Sequence, residues 1–503
     1  MTDVVVAGAG NAALSAALSA AEHGADVLVV EKAPERFRGG NTRLTGGLMR
    51  CAFGDPAGLG RVTGEVTAEA GVEVLPYTED DYATDLDVLS HGRADPVLTA
   101  TLVAQSWPTV LWLKEHGVPF RFNRALGTST NPETNLISIP RGSVLRVDGQ
   151  GAGLSAALFT ACQKAGVRVV YDTEVHRIDL DASGAVEAVG VRGADGPDRI
   201  TCRSLVVASG GYEANTRMRV SYLGPEWSGV LVRGVPYNTG TLTEAAIAVG
   251  AQPHGDWSAC HATIVDVDAP SFSTPGVADY TSRLSYQHGI MTNLAGHRFL
   301  DEAENFHHYT YAKFGRSILA QPRGLAIELF DAKGIELLAP QYTIWPGDPV
   351  EADDLATVAD RLADRLAGTG FDRDRLLTTV AEYNAATGEG TFDPTRLDGL
   401  RTNGLAVEKT NWSRPLDTAP YRAYVVRCGI TFTYGGVRIN PDGAVLDFRD
   451  EPIPGMFAAG ETVGGLFFGN YPGGAGLAAG ATFGRRAGAS AARHATAPVA
   501  ATV

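Results

Sequence analysis

The chain runs to 503 residues, 44% hydrophobic and 20% charged, the balance of a globular protein able to bury its core without staples. Its 42 basic and 57 acidic side chains leave a net charge of −15, which argues against nucleic acid or an anionic membrane surface as a partner. Five scattered cysteines contain no C-x-x-C pair, so zinc and iron–sulfur frameworks are disfavoured and no metal is expected.

The sparse, odd cysteine set fits a reducing compartment. No apolar run approaches the ~20 residues of a membrane span. A strand beginning at Val4 leaves no room for a signal peptide, and a cytoplasmic protein is expected.

In chain order, Val4-Val5-Val6-Ala7 reads as a buried strand. It leads into Gly8-Ala9-Gly10-Asn11-Ala12-Ala13 and an apolar helix from Leu14 to His23, which Gly24 stops. Asp26 to Glu31 supplies the next strand. This is the β-α-β dinucleotide fingerprint. Gly8 makes the tight turn, Gly10 admits the pyrophosphate, and Ala13 lets the helix pack closely. The helix N-terminus, with Asn11 and Ala12, stabilises phosphate charge. Glu31, with Lys32 beside it, falls where an acidic residue holds the ribose hydroxyls.

A second Gly-rich loop follows, Arg38-Gly39-Gly40-Asn41-Thr42 with Gly46-Gly47, and exceeds what one dinucleotide turn needs. Val175 and Gly210 are further candidate cofactor-binding residues. Much later, Gly455 to Glu461 reads as a strand and an acidic turn ending in Gly460-Glu461, before a helix that opens at Gly476-Leu477. Loops so distant in sequence, converging on one extended ligand, fit FAD better than NAD. In the middle of the chain Leu355, Val358, Leu362 and Leu366 mark one helix face, and strands return near Val425. The tail 495–503 is of low complexity and expected to be mobile.

Taken jointly, the chain resembles the flavoproteins of the fumarate reductase/succinate dehydrogenase superfamily. Gly8–Ala13, Arg38–Thr42, Gly92-Arg93-Ala94-Asp95, Gly296–Glu302, Tyr309–Lys313 and Gly469–Gly474 carry the likeness. Within the superfamily it is most similar to the FAD-dependent tricarballylate dehydrogenases. The resemblance implies an α/β fold in which a Rossmann-like FAD-binding domain, residues 1–255 and 431–503, is split by an α+β capping domain, 256–430. It implies a dehydrogenase that moves hydride from carbon to flavin N5, acting on a small carboxylate or carbonyl compound. An electron-acceptor protein or quinone-linked partner would take the electrons onward. A ketosteroid-dehydrogenase-like desaturase and an electron-relay flavoprotein remain open alternatives. No histidine, cysteine or tyrosine lies in 38–48, so noncovalent FAD is expected.

Candidate catalytic residues follow from the same likeness. His261, in a Cys-His-Ala-Thr element similar to the family's His-Pro-Thr, is a carboxylate or carbonyl ligand, or else a hydrogen-bonded histidine of the cap. Glu302 stands where fumarate reductases begin an arginine-linked proton path, although no arginine follows it within a turn. Tyr311 and Arg316 belong to the same segment. Phe432 and Tyr471 replace the histidine and arginine with which fumarate reductases hold a carboxylate. Tyr471-Pro-Gly instead resembles the 3-ketosteroid dehydrogenases, where the tyrosine polarises a ketone.

Overall fold

A computed structural model describes residues 2–277 and 279–497. Its first body is a Rossmann-like α/β domain. Five strands lie parallel, in the order Pro452–Ala458, Gly196–Val207, Thr2–Ala7, Val27–Val30 and Arg168–Val170. The strands Val27–Val30 and Val4–Ala7 are buried throughout, as expected of parallel strands covered on both faces. The strand Gly196–Val207 serves two sheets. Its first half leaves the parallel core and pairs antiparallel with Val186–Gly193, which pairs in turn with Glu174–Leu180.

The helix Asn11–Glu22 follows the first strand, and the final helix, Ala475–Thr496, packs along it. Gly480, Gly484 and Gly488 recur once per turn on the contact face. A Cβ on Gly484 would sit 2.4 Å from the Ala12 carbonyl oxygen, and one on Gly488 2.1 Å from that of Ala16. This close approach lets the Asn11 side-chain amide donate to the Leu477 carbonyl at 2.8 Å. The helix continues through Thr496, past the expected start of the tail at Ala495. Residues 498–503 lie outside the described residues.

The second body is an α+β capping domain built on two long antiparallel strands, Pro253–Asp266 and Tyr421–Val437. Leu325–Phe330, Ile290–Asn293, Val350–Ala352 and the short Leu231–Val232 complete its sheet. The expected limits at 256 and 430 therefore fall inside continuous strands, and one strand of the sheet comes from upstream of 256. Helix Leu355–Arg365 buries Val358 and Leu362, with Leu366 at its end, against Leu376, Val380 and Tyr383.

Helix His307–Leu319 crosses the long strand Pro253–Asp266. A Cβ on Gly315 would meet the Thr263 carbonyl oxygen at 2.5 Å, so only glycine permits this approach. One turn earlier on the helix, Tyr311 is thereby set against His261.

Candidate active site

A single cleft runs from Glu31 at one end to Tyr471 at the other, between the parallel sheet and the second body. Every residue expected at the cofactor lines it except two: Ala13 and Gly39 stand behind the wall. Ala13 is fully buried in the core, and a Cβ on Gly39 would meet Ser155 Oγ at 2.5 Å, so both serve packing. Gly8 has a φ of +103°, and a Cβ there would lie 2.4 Å from the Ala208 carbonyl oxygen, as a tight turn requires.

Glu31 is buried, its Oε1 accepts the Ala33 amide at 2.7 Å, and burial pushes its pKa up. Lys32 pairs with Glu174 at 2.9 Å and donates to Thr239 Oγ1 at 2.8 Å.

The residues present fit an extended dinucleotide. A Cβ on Gly10 or Gly40 would have its nearest neighbours at 3.5 and 3.9 Å, so the backbones leave a cradle open to a ligand. Asn11 Oδ1 is buried in this wall without a hydrogen-bond partner. Glu461, which lines the same cleft, forms a carboxyl pair with the buried Glu213. Glu213 accepts from the Asn41 and Asn238 amides at 2.7 and 2.6 Å, and Glu461 accepts from the Thr433 amide at 2.7 Å. The two carboxyls are within hydrogen-bond reach of one another, and no cation pairs with either among the described residues. Burial pushes the pKa of both up, so the pair retains a proton.

At the far end the wall becomes aromatic. His261 lies opposite Phe432 on the paired long strands, at a bulge that interrupts their register and re-aims the side chain. Its ring centroid is 4.7 Å from Tyr311, 5.3 Å from Phe432 and 5.1 Å from Tyr471. Neither imidazole nitrogen has a partner, and burial, aided by the Arg233 charge, holds the pKa well below the usual value. The ring is neutral. Tyr311 and Tyr471 share a short hydroxyl–hydroxyl hydrogen bond, and burial pushes both phenols up, so both stay protonated.

Two expected catalytic residues do not line the cleft. Glu302 is buried in the second body, where Oε1 accepts the Met291 amide at 2.7 Å and Oε2 pairs with Arg298 at 2.5 Å. Its arginine precedes it in sequence instead of following it, and the pair closes on itself. Arg316 donates to the Ser258 carbonyl at 2.6 Å and stacks over Trp227. Five residues from Tyr311 on one helix, it points about 140° away.

Two residues at the substrate end carry no sequence signal of their own. Arg233 and Asp279 both line the cleft; Arg233 Nη2 lies 2.5 Å from Asp279 Oδ1, with Nε at 3.0 Å from the same oxygen. Arg233 also donates to Ser282 Oγ and Thr431 Oγ1. His307 and His308 line the cleft as buried neutral rings, and no metal-binding cluster occurs among the described residues.

A family model described as an FAD binding domain matches residues 3–477, and the chain belongs to that family, within the fumarate reductase/succinate dehydrogenase flavoprotein superfamily. It is an FAD-dependent oxidoreductase acting on carbon–carbon bonds. A fumarate reductase (cytochrome) of Shewanella frigidimarina is 28% identical over 98% of this chain and 77% of its own. A 4-oxocyclohex-2-ene-1-carboxylate 5-dehydrogenase of Sinomonas cyclohexanicum is 26% identical over 98% of this chain and 94% of its own. Among solved structures, a 3-ketosteroid-Δ4-(5α)-dehydrogenase from Rhodococcus jostii RHA1 superposes with a TM-score of 0.71 at 25% identity, covering 98% of this chain and 96% of that one. The comparisons show the superfamily and not the tricarballylate dehydrogenases in particular. No helix among the described residues is long and apolar enough to cross a membrane.

Proposed function

We propose that the protein is a dehydrogenase that desaturates the Cα–Cβ bond next to the carbonyl of a ketone. The observation that carries this reading is the Tyr311–Tyr471 hydroxyl pair in an aromatic wall without a free cation. Among the described residues at the substrate end, the one guanidinium lining the cleft is already matched by a carboxylate. A small dicarboxylate would have to displace Asp279 from Arg233, and breaking a buried pair costs on the order of 3–5 kcal/mol. A ketone needs only neutral donors. With Tyr311 donating to Tyr471, the Tyr471 proton is left for the carbonyl oxygen, where it stabilises enolate charge as the α-proton leaves. Neutral His261 offers a second N–H to the same region.

FAD supplies the acceptor for the β-hydride. Gly8, Gly10, Asn11, Ala12, Gly40, Thr42 and the helix at Gly476-Leu477 would hold it, with Glu31 at the ribose. No attachment residue lies in 38–48, so the reading includes noncovalent FAD. Support also comes from relatives whose names contain an oxocyclohexene carboxylate and a 3-ketosteroid.

A carboxylate substrate is the second reading, favoured by Arg233 on the wall. Anaerobic mixing of the FAD-loaded protein separately with cyclohexanone, a saturated 3-ketosteroid and succinate decides between them. Flavin bleaching by a neutral ketone supports the first reading. Bleaching by succinate alone overturns it.

A further inference from the structure

The proposed reaction needs a base, and the cleft contains few candidates. His261 is already used as an N–H donor to the carbonyl, and His307 and His308 are neutral rings packed edge to face against one another. The tyrosine pair stays protonated and is committed to donating. Glu461 shares its proton with Glu213. Glu31 and Glu174 belong to the opposite end of the cleft, one bonded to the Ala33 amide and the other to Lys32.

One carboxylate at the substrate end remains. Asp279 is 6% exposed and faces the cleft. All its hydrogen bonds fall on one oxygen: Oδ1 takes Arg233 Nε at 3.0 Å, Arg233 Nη2 at 2.5 Å and Ser282 Oγ at 3.1 Å. Oδ2 accepts none of these, and a Cβ built on Gly46, a cleft-lining residue, would lie 3.3 Å from it. Arg233 is anchored in turn by Thr431 Oγ1 at 3.1 Å, next to Phe432 on the long strand. One oxygen is clamped and the other is free beside the cofactor loop. That is the geometry of an oriented base.

We propose that Asp279 is the group that accepts the substrate's α-proton, and that Arg233 and Ser282 are positioning residues that hold it. The inference rests on the ketone reading given above. In the step, Oδ2 takes the proton from the carbon α to the carbonyl. The electrons of that C–H bond form the new C=C bond as the β carbon releases hydride, with its two electrons, to FAD as the oxidant. The products are an α,β-unsaturated ketone, protonated Asp279 and two-electron-reduced FAD. Both tyrosine hydroxyls feel the charges of Arg233 and Asp279, so base and oxyanion donors act on one region. An aspartate base working against a tyrosine-containing oxyanion hole is an established solution to proton abstraction beside a ketone.

The test separates proton abstraction from oxidation. With FAD photoreduced, no hydride acceptor is available, and exchange of α-hydrogen into the ketone from D2O reports the base alone. Cyclohexanone and a saturated 3-ketosteroid are incubated with reduced wild type, Asp279→Asn and Asp279→Glu, and deuterium uptake is read by mass spectrometry. FAD content is measured by absorbance. Wild type is expected to exchange, and Asp279→Asn to lose about 10²-fold or more. Asp279→Glu keeps the pair with Arg233 and the fold but displaces the oxygen by one methylene, and should lose roughly tenfold at normal FAD content. Wild-type exchange by either FAD-replete variant overturns the base assignment and leaves the ketone reading standing. Absence of exchange and of bleaching with both ketones in wild type overturns the reading and the base assignment together.

Discussion

Tyr311 and Tyr471, 160 residues apart in the chain, meet hydroxyl to hydroxyl at the substrate end of the cleft. One comes from the helix over the second body and the other from the loop that opens the final helix, so the pair forms only when both bodies are assembled. Tyr471→Phe keeps the ring, which packs at 5.0 Å from Phe432, and removes the donor. Loss of one such donor costs ~3 kcal/mol, about 10²-fold in rate. Flavin reduction in single turnover, normalised to bound FAD, should fall by that factor while FAD content holds. Near-equal rates would retire the oxyanion role.

Glu31 stands at the other end of the same cleft. Its carboxylate is already oriented by the Ala33 amide, and the neighbouring Lys32 is turned away to Glu174. Glu31→Ala should therefore weaken FAD by about 1.5–3 kcal/mol, a hydrogen bond to a charged group, without altering turnover per bound flavin. Fluorescence quenching titration of the apoprotein measures it, and acid precipitation of wild type should release all the pigment. Yellow colour in the pellet would contradict noncovalent binding.

The two ends of the cleft were unequally legible. The fingerprint at Gly8–Ala13 and Glu31 is local: strand, turn, helix and acid follow one another, so spacing alone exposes them. Gly460 and Glu461 were readable as a glycine-rich strand end, and Gly476 and Leu477 as the opening of a helix. Arg233 and Asp279 were not, because 46 residues separate them and neither stands in a patterned segment. Only the long strand at Ile430–Thr431 brings Arg233 into position. Glu302 was expected at the site from its place in the superfamily's arginine-linked path, and its closure onto Arg298 appears only in three dimensions. Glu213 gave no signal at all, since a lone buried carboxyl has none without its partner.

Burial of Glu328 predicts a pH dependence of stability. Its Oε2 accepts the Tyr342 hydroxyl at 2.8 Å, Oε1 has no partner, and the Asp266–Arg283 pair lies nearby. Burial is the dominant cause that pushes its pKa up to about 8, with the Tyr342 hydrogen bond and the Arg283 charge opposing. The folded state keeps this proton where the unfolded chain, at about 4.5, has released it. Its contribution is thus fully present below pH ~4.5 and is lost as pH rises towards ~8, with a slope of at most about 1.4 kcal/mol per pH unit. Glu328→Gln cannot ionise, and its thermal midpoint should fall less than that of wild type between about pH 5 and 8. Parallel curves for the two proteins would show that Glu328 does not carry the dependence.

The glycine stripe of the final helix gives the last prediction. Gly484 places its Cα so close to the helix Asn11–Glu22 that a Cβ would lie 2.4 Å from the Ala12 carbonyl oxygen and 3.1 Å from the Ala12 carbonyl carbon. These are backbone atoms within a helix and cannot swing aside. Gly484→Ala must therefore push the two helices apart, at a cost of about 1–3 kcal/mol. In an isolated helix the same change should be favourable by ~1 kcal/mol, so the sign alone identifies packing as the cause. Separation would also stretch the Asn11–Leu477 hydrogen bond, which joins the phosphate-side helix N-terminus to the C-terminal wall of the cofactor cleft. FAD affinity should fall with stability. Gly54→Ala, where a Cβ meets nothing within 4 Å, serves as the control and should leave both unchanged. Thermal midpoints and FAD titration of the two variants measure the effect. A Gly484→Ala protein as stable and as tightly loaded as the control would show that the helices tolerate the extra methyl.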